Sequence, residues 1–115
     1  MKTPRLEHSA AMLVALRIVA CRYDVIAERK FFGCPAFFVR RRMAACVYGE
    51  MIALRLPQLS VAALMKTPGC SSFQPHGRGP MRRWLAFEAR SPAFTSLEDL
   101  FEEAVSFANE LAARD

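Results

Sequence analysis

The spacing of apolar positions predicts three helices. Residues 6–20 are good helix formers, and Arg17 is the only charged residue in their second half, so this helix should be apolar on all sides and mostly buried. Apolar residues at helical spacing predict a short helix over 58–65. Thr95 stands three residues before Glu98, the spacing of a capping box. The apolar stripe of the helix that follows is formed by Leu97, Leu100, Phe101, Ala104, Val105, Ala108 and Leu111.

Aromatic, β-branched and alternating runs predict strands between these helices. Gly49-Glu50 fits a two-residue hairpin turn with glycine first, and it separates two of the runs. Three runs lie so close together that only tight turns can join them, which predicts an antiparallel meander. A further run, with Leu85 and Phe87 on one face and Trp84 on the other, predicts a later strand. The runs are residues 36–39, 43–48, 51–56 and 83–88.

These elements together predict an α+β fold with two layers. Helices should pack on an antiparallel sheet of about five strands, in the order helix, three-stranded meander, helix, two strands, helix. The segment 23–30 is expected to be a connection. The segment 70–80 is expected to be a loop, since it holds the densest group of proline and glycine residues.

Composition limits what the chain can be. With 115 residues, 53% hydrophobic and 23% charged, we expect one globular domain spanning residues 1–115. These figures exclude a multidomain enzyme, a repeat array and a low-complexity tail. No apolar stretch approaches the length of about 20 residues that spans a bilayer, and the N-terminal residues lack the pattern of a signal peptide. A soluble protein that has no membrane partner is therefore expected.

The net charge of +5 is unevenly distributed. Basic residues dominate positions 1–93 and acidic residues dominate 94–115, where many acids occupy the first turns of the last helix and favour its dipole. A basic body of this kind raises the odds of an anionic partner such as nucleic acid.

Residues with catalytic or metal-binding chemistry are sparse. Cys21, Cys34, Cys46 and Cys70 have no C-x-x-C spacing and lie in apolar segments, so we expect buried, reduced thiols and a cytoplasmic protein. A metal site combining three of them with His76 can be drawn, but the spacing does not require it. Cys34 and Cys70 could act as nucleophiles, yet neither has an identifiable base. The sequence therefore predicts neither an enzyme nor a bound cofactor or metal.

Two arginine clusters are the candidate binding residues. Arginine suits phosphate because its planar fork donates several hydrogen bonds. A tryptophan beside the second cluster could stack on single-stranded bases. The alternatives are that both clusters are solvated surface and that the tryptophan belongs to the core. The candidate nucleic-acid or anion-binding residues are Arg40, Arg41 and Arg42 at an expected hairpin tip, and Arg78, Arg82 and Arg83 beside Trp84.

The order and spacing of several motifs resemble the N-terminal domain of the TfoX/Sxy family, over residues 6–112. The motifs are Phe-Phe-Gly-Cys-Pro-Ala-Phe-Phe-Val at 31–39, Met-Ala-Ala-Cys-Val-Tyr-Gly at 43–49, Leu-Arg-Leu-Pro at 54–57, Pro-Gly at 68–69, Phe-Gln-Pro at 73–75, and Gly-Arg-Gly-Pro-Met-Arg-Arg-Trp at 77–84. This resemblance implies the same α+β order of elements. It also implies a bacterial regulator of competence that acts on transcription, without catalytic residues.

The chain departs from that family in two respects. The regulators carry a second, helical domain that these 115 residues do not include. Arg41-Arg42 replace the family's usual Asn/Gly turn.

Two functions follow as expectations. The first is a regulatory interaction domain that docks on a protein partner and could form a homodimer. The second is a nucleic-acid or other anion-binding module that uses the arginine clusters. Convergence of both clusters on one face would favour the second function. Divergence, with an exposed apolar patch instead, would favour the first.

Overall fold

Six strands and three helices make up the part of the chain that this computed structural model describes, residues 9–31, 33–73 and 81–115. The helices are α1 (Ala10–Ala20), α2 (Gln58–Leu64) and α3 (Leu97–Ala113), with a short 3-10 helix (Pro92–Ser96) directly before α3. The strands are β1 (Ile26–Phe31), β2 (Cys34–Val39), β3 (Arg42–Tyr48), β4 (Met51–Arg55), β5 (Cys70–Phe73) and β6 (Met81–Glu88). None of the described helices is long and apolar enough to span a membrane.

All six strands belong to one open antiparallel sheet in the order β1-β2-β3-β4-β6-β5. The predicted α+β fold is confirmed, and the expected strand count of about five is close. The segment 23–30 was predicted as a connection, which is wrong because β1 begins at Ile26. The segment 70–80 was predicted as a loop; its first four residues form β5, and residues 74–80 lie outside the described residues. Both β1 and β5 are edge strands in which the polar residues are adjacent in the middle of the strand, so neither shows the apolar alternation of a strand.

One face of the sheet packs against the helices. Leu16 of α1 and Phe101 of α3 are fully buried there against Phe87 and other strand residues. The predicted apolar stripe of α3 is confirmed, since all seven of its residues are buried. The expectation that α1 is mostly buried holds for one side only, because Val14 and Ile18 are 53% and 56% exposed.

A second apolar cluster covers the opposite face of the sheet. Trp84 and Phe73 are its largest members, packed with Met43 and small residues of the central strands. The Phe73 ring lies 5.3 Å from the ring of Trp84 and 5.3 Å from the ring of Tyr48. Phe73 and Tyr48 stand on strands separated by two others, so their side chains reach toward each other across this face. Trp84 is buried in this cluster and pairs with Arg55, the last residue of β4.

The start of α3 differs from its prediction. The capping box of Thr95 and Glu98 is wrong, because the helix is preceded by the 3-10 helix and its N-cap, Ser96, makes no side-chain capping bond. The Thr95 hydroxyl instead donates to the Pro92 carbonyl at 2.7 Å. Ser91 provides the side-chain cap, accepting from the backbone N–H of Ala93 at 3.2 Å. Proline at the first position of the 3-10 helix favours this earlier start.

Two tight turns connect the central strands. The predicted turn at Gly49-Glu50 is confirmed, with Gly49 at a φ of 61°. Arg40 and Arg41 form the turn between β2 and β3, and Arg40 has a φ of 55°. The predicted three-arginine tip is therefore two residues long, because Arg42 already belongs to β3.

Candidate functional site

Arginine residues come together where three neighbouring strands of the sheet, β3, β4 and β6, have their ends on the same side of the molecule. Strands β3 and β6 begin at the edge where β4 ends, because each is antiparallel to β4. Their side chains line a concavity of about 330 Å³ together with Leu111 of α3. The exposed turn of Arg40 and Arg41 immediately precedes the β3 end in the chain. We call this surface the arginine edge; its members are Arg40, Arg41, Arg42, Arg55, Arg82 and Arg83.

Arg55 ends β4, the middle one of the three strands that meet at this surface. It pairs across the strands with Trp84, and its guanidinium carbon lies 5.2 Å from the Trp84 ring centroid. Burial, followed by the nearby positive charges of Arg42 and Arg83, lowers the pKa of Arg55. No carboxylate among the described residues lies within 4.0 Å of its guanidinium. The site therefore contains a half-buried cation that its neighbours repel.

The two arginines at the start of β6 point to different sides of the strand. Arg83 lies over the half-buried ring of Phe107 in α3, 5.9 Å from its centroid. A backbone bond of 2.8 Å from the Leu56 N–H to the Arg83 carbonyl joins the end of β4 to β6 at this point. Arg82 and Arg83 are both exposed, and no described carboxylate forms an ion pair with either. Both guanidinium groups can therefore reach a ligand.

Arg42 already holds an oxyanion from the same chain. Its guanidinium donates two hydrogen bonds to the Asp115 carboxylate, one of them from Nε to Oδ2 at 3.2 Å. This contact raises the pKa of Arg42 and lowers the pKa of Asp115. The charge of Arg41 lowers the pKa of Asp115 further, so the hairpin turn lies within electrostatic reach of the concavity. The edge thus binds a two-oxygen anion in bidentate geometry.

The buried ring of Trp84 lies against the Arg55 guanidinium. Trp84 lines the concavity, but its side chain is only 2% exposed and packs against both the Phe73 ring and the Arg55 guanidinium. A ring so covered orients the Arg55 guanidinium through a cation–π contact. It offers no open face to a nucleic-acid base.

The structure brings the two predicted arginine clusters together. Arg42 of the first cluster and Arg82 and Arg83 of the second line the same concavity. Arg78 lies outside the described residues. Sequence reasoning missed Arg55 as a site residue, although Arg55 alternates with Leu54 and Leu56 in the sequence and therefore lies on the opposite face of β4. It also missed Asp115, for which no local pattern gave a signal.

The cysteines do not form a second site. All four are free, as expected, but Cys21 is exposed and Cys70 half-buried, so the prediction that all are buried is wrong for Cys21. Cys21 occupies the solvent side of the end of α1. Burial raises the pKa of Cys34 and of Cys46, which makes both thiols poor nucleophiles. Among the described residues no group of three metal-ligating side chains occurs, and His76 lies outside them.

An exposed apolar strip is the second notable surface. Val14 and Ile18 stand one turn apart on the outer side of α1, and Val25 follows the helix with 59% of its surface exposed. We call these three residues the α1 strip. Exposed aliphatic residues mark an interaction surface where they form a contiguous patch, and Val14 and Ile18 are neighbours on one face of the helix.

Comparison with known proteins found no matching family model, no matching curated protein and no matching solved structure. The resemblance to the TfoX/Sxy N-terminal domain stays a prediction from the sequence.

Proposed function

We propose that this domain binds nucleic acid, or a comparable polyanion, through the arginine edge. The observation that carries the proposal is the convergence of Arg42, Arg55, Arg82 and Arg83 on one concavity, where Arg55 is half-buried and forms no ion pair with any described carboxylate. Like charges held this close favour an anion that can lie between them.

The expected energetics are those of charge-assisted contacts. Each arginine–phosphate hydrogen bond contributes about 1.5–3 kcal/mol, and neutralised phosphates release their counterions. A bound anion would also relieve the repulsion that Arg55 experiences from Arg42 and Arg83. Affinity should therefore be high at low ionic strength and fall steeply with salt.

Asp115 supports an oxyanion as the ligand. Its carboxylate forms a bidentate contact with Arg42, as a phosphate group would. A ligand phosphate at Arg42 would have to displace this carboxylate. Asp115 is thus an internal competitor for one position of the arginine edge.

We expect the double variant Arg82→Gln/Arg83→Gln to weaken DNA binding by about 30-fold or more, since two charge-assisted contacts are lost. Both side chains are exposed, so the fold should be kept, with a loss of stability no larger than the Arg83 contact with Phe107 provides, about 0.5–1 kcal/mol. The measurement is fluorescence anisotropy of labelled DNA with the purified domain at two salt concentrations. Asp115→Asn should bind more tightly than the wild type.

Arg90→Gln is the matched control. Arg90 is exposed and follows the opposite end of β6, so its replacement removes the same charge away from the site. Its affinity should stay within about twofold of wild type, the change expected for a distant surface charge. If Arg90→Gln lowered the DNA affinity as much as a single Gln substitution at Arg82 or Arg83, the loss would reflect only the change in net charge. Absence of binding at low salt would refute the proposal.

A regulatory interaction domain is the second candidate function, favoured by the α1 strip. We propose a second copy of this chain as its occupant, because one short helix face suits a two-fold pairing of identical helices. Such a homodimer would agree with the regulatory role that the resemblance to TfoX/Sxy domains implies. It would place the arginine edges of two copies in one assembly.

The variant Ile18→Glu is expected to convert a dimer into a monomer, because it places a charge in the middle of the apolar contact. Sedimentation velocity over a range of concentrations measures the change. Leu59→Glu is the matched control, since Leu59 on α2 is 86% exposed and lies outside the α1 strip. A wild-type domain that stays monomeric at high concentration would contradict this candidate.

A further inference from the structure

The arginine edge is wider than a single phosphate requires. Its three strand ends belong to the neighbouring strands β3, β4 and β6, so they span about 10 Å at the usual strand spacing. The turn of Arg40 and Arg41 extends the positive surface beyond the concavity. A compact phosphate could satisfy one or two of these guanidinium groups and would leave the others unneutralised. The surface therefore fits an extended anion with regularly repeated charges.

No described surface offers an aromatic platform for bases. Every described Phe, Tyr and Trp is buried or half-buried, and only Phe32 lies outside the described residues. Trp84 is covered by Arg55, and Phe107 is covered by Arg83. The undescribed segments 1–8 and 74–80 contain no Phe, Tyr or Trp. Proteins that hold single strands rely on stacking of bases on such rings.

We infer that the ligand of the arginine edge is double-stranded nucleic acid, bound through its phosphates and without base stacking. This inference rests on the proposed function and narrows it to one class of ligand. A duplex carries one charge per about 1.7 Å of its axis, twice the density of one strand. A site built from guanidinium groups alone gains from that density. It gains less from the unstacked bases of a single strand, because the described residues offer no exposed aromatic ring for them to stack on.

Backbone strain at the hairpin turn is an independent sign that Arg40 serves binding. Its φ of 55° lies in the left-handed region, where glycine and asparagine are the usual residues. Glycine at this position would remove the strain, and the exposed side chain makes no described hydrogen bond or ion pair that would be lost. Arginine is thus unfavourable for the turn itself. Arg40 is exposed in the turn that directly precedes β3, whose first residue, Arg42, lines the concavity.

The test compares a labelled duplex with a single strand of the same length and sequence. We expect the duplex to bind at least tenfold more tightly at moderate salt. With six arginines in contact, log K should fall against log salt with a slope of about −5. Millimolar inorganic pyrophosphate should not displace the duplex.

Arg40→Gly is the decisive variant. We expect its midpoint of urea unfolding to equal or exceed that of wild type, while duplex affinity falls about three- to tenfold, as for loss of one phosphate contact. Arg90→Gly, also exposed but away from the edge, is the control and should leave affinity unchanged.

The outcomes separate the two proposals. Equal affinity for both DNA forms, with both lost in Arg82→Gln/Arg83→Gln, would overturn the duplex assignment and leave anion binding intact. Displacement of the duplex by pyrophosphate would also overturn the duplex assignment, and it would identify a compact anion as the ligand. Unchanged duplex affinity in Arg40→Gly would overturn the role of the turn. Failure of every DNA form to bind would overturn the proposed function itself.

Discussion

Replacing Gly69 by alanine is expected to lower the free energy of unfolding by about 3 kcal/mol. Gly69 has a φ of 82°, which strains any residue with a Cβ, and an added Cβ would lie 2.8 Å from Cβ of Ser91. Ser91 cannot move away easily. Its hydroxyl donates to the Pro68 carbonyl at 2.7 Å and accepts from the Ala93 N–H at 3.2 Å. Urea unfolding followed by circular dichroism measures the loss.

Gly33→Ala is the matched control for this prediction. Gly33 has the same φ of 82°, but an added Cβ would meet nothing within 4 Å. Only the conformational strain remains there, so we expect a loss of about 1 kcal/mol. Similar losses in both variants would show that the contact with Ser91 contributes nothing. The difference between the two variants therefore isolates the close approach of the 68–70 turn to Ser91.

The elements that the sequence predicts correctly are those whose residues are strongly amphipathic or fully apolar. The stripe of α3 and the alternation of β4 each follow from burial on one side, which a single sequence displays directly. Strand β1 was missed because its middle residues, Glu28, Arg29 and Lys30, are exposed at the sheet edge. Its strand conformation depends on backbone pairing with β2. Such pairing leaves little trace in side-chain pattern.

The residues of the candidate site also divide into those that a local sequence pattern indicates and those that depend on the fold. Arg42, Arg82 and Arg83 stood out as charge clusters, but their meeting at one concavity depends on the order of the strands in the sheet. Arg55 showed no cluster of its own, since it is the single charged residue of β4. Asp115 reaches Arg42 from 73 positions away in the chain. Long-range contacts of this kind are set by topology and cannot be derived from local composition.

Arg55→Met is expected to change stability and binding in opposite directions. Removal of a half-buried cation repelled by Arg42 and Arg83 should raise the free energy of unfolding by about 1 kcal/mol, after loss of the cation–π contact with Trp84. Methionine preserves most of the length and can pack on the same ring. DNA affinity should fall about tenfold or more, because one charge-assisted contact at the centre of the site is lost. Urea unfolding and anisotropy of labelled DNA measure the two effects.

Arg29→Met is the matched control for Arg55→Met. Arg29 also stands over an aromatic ring, 5.6 Å from the centroid of Phe38, but it lies on β1 and does not line the concavity. Its replacement should leave DNA affinity within about twofold of wild type, as for a charge outside the binding surface. If Arg55→Met instead destabilises the fold and leaves affinity unchanged, Arg55 is a structural cation. A gain in stability with a loss of binding, absent at Arg29, would mean that the chain keeps an unfavourable charge at this position for its ligand.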